Sequence, residues 1–66
     1  MTLYELLLQF DKCKLDIEVD NGRETFKGTA EELLNWLTND DLNGEVIEFS
    51  AERDGSVSVA YHKARG

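Results

Sequence analysis

Two stretches of the chain place apolar residues at helical spacing, and the stretches between them alternate apolar with polar. In residues 2–10, TLYELLLQF, Leu3, Leu6, Leu7 and Phe10 fall at i, i+3, i+4 and i+7, which predicts one buried face of a helix. Thr2 and Glu5 form a T-x-x-E capping box at its start. Tyr4 and Leu8 add a second apolar row on the flank, which is either covered by the rest of the domain or is a contact surface. A second helix opens at Thr29, where Thr29 and Glu32 repeat the box and Ala30, Leu33, Leu34 and Leu37 repeat the stripe. Trp36 falls on the edge of that stripe, where an indole can cover the core and keep its N–H wet. The turn formers of TNDDLNG, residues 38–44, are expected to end this helix.

Residues 14–20, KLDIEVD, alternate strictly, with Leu15, Ile17 and Val19 on one side of a half-buried strand. Asn21-Gly22 predicts a two-residue hairpin turn. That register sets Asp20 opposite Arg23, Glu18 opposite Thr25, Ile17 opposite Phe26 and Asp16 opposite Lys27. It leaves Glu24, opposite Val19, on the apolar face near the tip, and Gly28 is expected to break the strand. Residues 45–51, EVIEFSA, and 56–62, SVSVAYH, predict a second hairpin. A two-residue loop on Asp54-Gly55 would set Phe49 opposite Ala60 and Val59 opposite Ser50. A three-residue loop with Gly55 in the left-handed region instead pairs Ala51 with Val57, Phe49 with Val59 and Ile47 with Tyr61 on one face, and Glu52 with Ser56 and Ser50 with Ser58 on the other. Residues 63–66, KARG, are expected to fray.

The expected architecture is one α+β domain over residues 1–66, in the order helix, hairpin, helix, hairpin (αββαββ), with a four-stranded antiparallel sheet and both helices packed on one face. The halves beginning TLYELL and TAEELL are either a degenerate repeat or a convergence of capping boxes and Leu pairs.

Composition narrows the chemistry. Fourteen acids against seven Lys and Arg give a net charge of −7, with no proline and a single cysteine. Such an excess disfavours direct contact with nucleic acid or an anionic membrane, and favours a protein partner with a basic surface. The longest apolar run, Leu6 to Leu8, is far short of a membrane span, and the acidic start lacks the marks of a signal or transit peptide, so cytoplasmic residence is expected. Cys13 has no partner for a disulfide and no nearby histidine, and reads as a small apolar residue rather than a nucleophile. His62 is the only histidine, which excludes a Cys/His metal set and a Ser-His-Asp triad within one chain. Asp16-x-Glu18-x-Asp20 followed by Asn21-Gly22 fails as a calcium loop, because the glycine falls one place late and Lys27 stands where a bidentate Glu belongs. Neither glycine-rich phosphate motif is present. No cofactor or metal is expected, and the chain does not read as an enzyme.

What remains is surface. Asp16, Glu18 and Asp20 share the outward side of one strand, and Asp40, Asp41, Glu45, Glu48, Glu52 and Asp54 spread over the later turns and the second hairpin. Alternate residues of a strand lie about 6.7 Å apart, similar to the step between phosphates of an extended nucleic-acid strand, so these carboxylates either occupy basic sites built for phosphate or simply keep the chain in solution. Tyr4, Leu8 and Trp36 are the candidates for a homodimer seam or partner contact, or else belong to the core.

The segments TLYELL at 2–7 and DNGRETFKGTAEELL at 20–34 resemble small acidic proteins encoded by phages and mobile elements of Gram-positive bacteria. The resemblance covers about half the chain and rests on helix caps and one hairpin turn. It implies residence in a host-cell cytoplasm and a non-catalytic inhibitor of a host defence nuclease, of the anti-CRISPR kind, that acts as a nucleic-acid mimic. The alternative is an interaction module that dimerises through its first helix.

Overall fold

The structure is a computed structural model, and it describes residues 1–64. Helix α1 spans Leu3–Gln9, strand β1 Ile17–Asp20, β2 Thr25–Gly28, helix α2 Ala30–Trp36, a short α3 Asn39–Leu42, β3 Glu45–Ala51 and β4 Val57–His62. Both expected capping boxes form. Thr2 Oγ1 accepts from the Glu5 amide while Glu5 Oε1 accepts from the Thr2 amide at 2.9 Å, and Thr29 and Glu32 repeat the exchange. Helix α3, capped by Thr38, occupies the stretch read from the sequence as a turn.

The sheet departs from the expected antiparallel one. Its strand order is β2-β1-β4-β3, and the central pair, β1 and β4, is parallel. The path of the chain explains the change. Helix α2, packed on the sheet between β2 and β3, carries the chain back towards the end where β2 began, so β3 runs in the same sense as β2 and β4 in the same sense as β1. Two hairpins joined through β1 and β4 then meet in parallel. Burial favours that joint, because it puts the cleanest alternations, Ile17 and Val19 with Val57, Val59 and Tyr61, in the middle of the sheet beneath the helices. The shorter or more polar strands β2 and β3 become the edges.

The first hairpin is also wider than expected. Asp20 pairs with Thr25, Val19 with Phe26, Glu18 with Lys27 and Ile17 with Gly28, which leaves a four-residue loop, 21–24. The longer loop removes Glu24 from the apolar face and sets Val19 against Phe26, and Gly28 ends the strand from inside it. Asn21 closes the loop, with Oδ1 accepting from the amides of Arg23 and Glu24 at 2.9 and 2.8 Å. The second hairpin keeps the three-residue loop, with Gly55 at φ 89°, and the pairs Ala51–Val57, Ser50–Ser58 and Phe49–Val59. Beyond Glu48 a bulge replaces Ile47 with Val46 opposite Tyr61.

Leu3, Leu6, Leu7, Ala30 and Leu33 close over Ile17, Val19, Val59 and Tyr61 to form the core. Helix α1 meets β3 at the Glu45 end, where Leu3 donates to the Gly44 carbonyl. The far end of β3 is left uncovered, and Ile47 and Phe49 are more than half exposed. Leu15 lies outside β1 and is exposed. The chain end is tied down as far as it is described: the Ala64 amide donates to the Asp40 carbonyl, and the remainder of the KARG segment, 65–66, lies outside the described residues.

Candidate functional site

One face of the sheet carries the helices and the other carries none. On the open face, alternation places Asp16, Glu18 and Asp20 along β1 and the segment that leads into it, and Glu45, Glu48 and Glu52 along β3 and its end. Strand β4 lies between these rows, and its outward residues Ser58 and Ala60 are small, with Ser56 just before the strand and His62 at its end. The parallel joint thus brings two acidic rows to either side of a low lane, about 9.6 Å apart at two strand spacings. Glu18, Asp20, Glu48, Ser50, Ser58 and Ala60 line a shallow depression of about 240 Å³ there. Lys27, opposite Glu18, is the basic residue at the β2 side.

The acids differ in how free they are. Glu18 and Glu48 are exposed and stand outside the ion pairs found among the described residues. Asp20 accepts from the Gly22 amide at 2.7 Å, and Glu52 accepts from the Ser50 hydroxyl at 3.3 Å. Glu45 takes the Met1 nitrogen at 3.4 Å. Asp54 accepts from the Ser56 hydroxyl and amide, which hold its carboxyl below the usual range. Asp40 sits at the start of α3, away from both rows.

Asp41 is not on the surface. It is 2% exposed and forms the centre of a polar cluster under the end of the sheet. Tyr61 Oη donates to its Oδ1 at 2.8 Å, Thr38 Oγ1 donates to its Oδ2 at 2.7 Å, and Asn21 Nδ2 lies 3.5 Å from Oδ1. Lys63 Nζ stands 4.0 Å from Oδ2. Burial works against the charge on Asp41, but the hydrogen bonds from Thr38 and Tyr61, with Lys63 and Asn21, outweigh it and hold the carboxyl below its usual value. For Tyr61, burial and the bond to Asp41 both push the phenol up. The signal in the sequence was Thr38-x-x-Asp41, which repeats the spacing of the two capping boxes. Every partner in the cluster is satisfied, as a buried polar group requires, so it serves the fold.

The apolar candidates fall in two places. Tyr4 and Leu8 are 45% and 46% exposed on α1. Trp36 is exposed at the β2 side, its ring 3.2 Å from where a Cβ on Gly28 would stand. Cys13, which reads from the sequence as a small apolar residue, is exposed in the segment after α1. Among the described residues no group of three or more His, Cys, Asp or Glu could hold a metal ion, and no helix is long and apolar enough to cross a membrane.

Comparison with protein-family models, with curated proteins and with solved structures found no match.

Proposed function

We propose that the chain is a non-catalytic binding protein whose open sheet face docks on a basic, nucleic-acid-binding surface of a protein partner. The observation that supports this reading is the pair of acidic rows flanking the Ser58–Ala60 lane. Glu18 and Glu48 are exposed and form no ion pair among the described residues, and a flat floor of small side chains lets long Arg and Lys side chains approach both rows. A host defence nuclease is the partner class that the resemblance adds. The interaction is electrostatic, so it weakens steeply with salt and competes with DNA.

The test is capture of a partner at low salt on the immobilised protein, followed by elution with duplex DNA, for the wild type and for the Glu18→Lys/Glu48→Lys variant. Release by DNA from the wild type, and no capture by the variant, is the expected result. Capture that survives both the reversal and the DNA sinks the reading.

A further inference from the structure

We infer that the free edge of β3 pairs with the same edge of a second copy of this chain, in an antiparallel register centred on Phe49.

The backbone presents the edge. Glu52 donates to the Ser56 carbonyl at 2.8 Å, so the alternation of an antiparallel ladder turns the amides of Ser50 and Glu48 towards β4 and those of Ala51 and Phe49 towards the open side. At the other end of the strand the edge is already taken, because Val46 donates to the Met1 carbonyl at 2.9 Å and Thr2 bridges Glu45. The bulge at Ile47 ends the regular edge on that side, so the stretch from Glu48 to Ala51 is what remains, and it carries no proline, Lys or Arg to blunt it. Phe49 is 54% exposed on it.

The side chains select the register. A twofold axis through the sheet keeps each residue on its own face, so the axis must pass through a residue position. Centred on Phe49, the pairing sets Phe49 against itself and each Glu48 against a Ser50 hydroxyl, and it stops short of the bulge at Ile47. Centred on Ser50 it would oppose Glu48 with Glu52, and centred on Glu48 it would oppose that carboxylate with its own copy. Only the first arrangement keeps like charges apart and buries the aromatic pair. It also uses up the β3 edge of both copies, so it closes as a dimer. Three residues a side is a small interface, and each chain carries −7, so the dimer belongs to the weak class and strengthens as salt screens the repulsion.

Sedimentation equilibrium from about 10 μM to about 1 mM, at low salt and at about 0.5 M salt, tests this. The expected result is a monomer–dimer equilibrium that is tighter at high salt. Ser50→Glu places Glu against Glu48 twice over and weakens the dimer about tenfold at low salt. Gln9→Glu adds the same charge on exposed α1 and leaves the dimer within about twofold of wild type. Glu48→Lys/Ser50→Glu restores pairing to at least the wild-type level. All these positions are exposed, so circular dichroism reads each variant as folded before its mass is interpreted. A strict monomer at the highest concentration in both salts overturns the inference. So does a dimer indifferent to Ser50→Glu, which would point to another face such as Tyr4 and Leu8, or assembly beyond two chains.

Discussion

The phenol of Tyr61, on the central strand, donates a 2.8 Å hydrogen bond to the carboxylate of Asp41, on a four-residue helix twenty positions earlier. This bond fastens α3 to the sheet, because a helix of one turn has no stability of its own. Tyr61→Phe is expected to cost about 1–2 kcal/mol in urea unfolding, and Asp41→Ala about 3 kcal/mol, because the latter strands the buried phenol and the Thr38 hydroxyl together. The double variant should cost less than the sum of the two. Additive losses would mean that the pair is not coupled.

The same cluster sets the pH dependence. Asp41 titrates below its unfolded value, so its contribution is fully present above about pH 4 and is lost as pH falls through the folded value. Tyr61 titrates above its unfolded value, so its contribution is present below about pH 10 and is lost as pH rises beyond that. Tyr61→Phe removes a donor that holds Asp41 ionised, and the acid unfolding midpoint should therefore move to higher pH. Acid titration by circular dichroism reads the shift, and an unmoved midpoint contradicts this account.

Gly44, between α3 and β3, is fixed by space rather than by backbone angle. A Cβ there would run into the His62 carbonyl oxygen and lie 2.9 Å from both the Asp41 carbonyl and the Tyr61 ring. Backbone cannot retreat as a flexible side chain can. Gly44→Ala is expected to destabilise by about 3 kcal/mol or more, against about 1 kcal/mol for Gly55→Ala, where nothing obstructs and only the positive φ of 89° resists a side chain. Equal losses at the two sites in thermal unfolding would refute the packing argument.

These positions also show where the sequence stopped being legible. Alternation assigns faces, and it placed Ile17, Val19, Val57, Val59 and Tyr61 correctly in the core. It says nothing about which strand lies beside which, so the parallel β1–β4 joint, and with it the convergence of the two acidic rows, had to come from the path of α2. Phe49 alternates like a core residue and is exposed only because the helices stop short of the far end of β3. Glu24 on the apolar face was the readable sign that the first loop is longer than two residues. By sequence alone Asp41 belongs with the surface acids because a carboxylate is rarely buried, and the hydroxyls of Thr38 and Tyr61, with Asn21 and Lys63, make an exception of it.

Cys13 is exposed in the segment between α1 and β1. A thiol-specific chromogenic reagent should therefore label it in the native protein at a rate within about tenfold of the urea-unfolded chain, whereas a buried thiol would wait for unfolding. Strong native protection would contradict this placement. Under oxidising conditions the same exposure predicts a disulfide-linked pair of chains on a non-reducing gel.

Asn21 joins the first loop to the buried cluster, and an exchange of one atom tests both ends. Its Oδ1 accepts from two loop amides at 2.9 and 2.8 Å, while its Nδ2 faces Asp41 at 3.5 Å. Asn21→Asp keeps the acceptor for the loop and replaces the amide with a second carboxylate beside the first. Two carboxylates so close raise each other's pKa, so the variant is expected to lose about 1–2 kcal/mol at pH 7. Near pH 3, where one of the pair is protonated and can donate to the other, most of that loss should disappear. Asn21→Ala removes the loop acceptor together with the amide and should keep most of its loss at both pH values, because the loop bonds do not titrate. Urea unfolding of the two variants at the two pH values separates these effects, and a loss for Asn21→Asp that does not change with pH would show that the amide and Asp41 do not communicate.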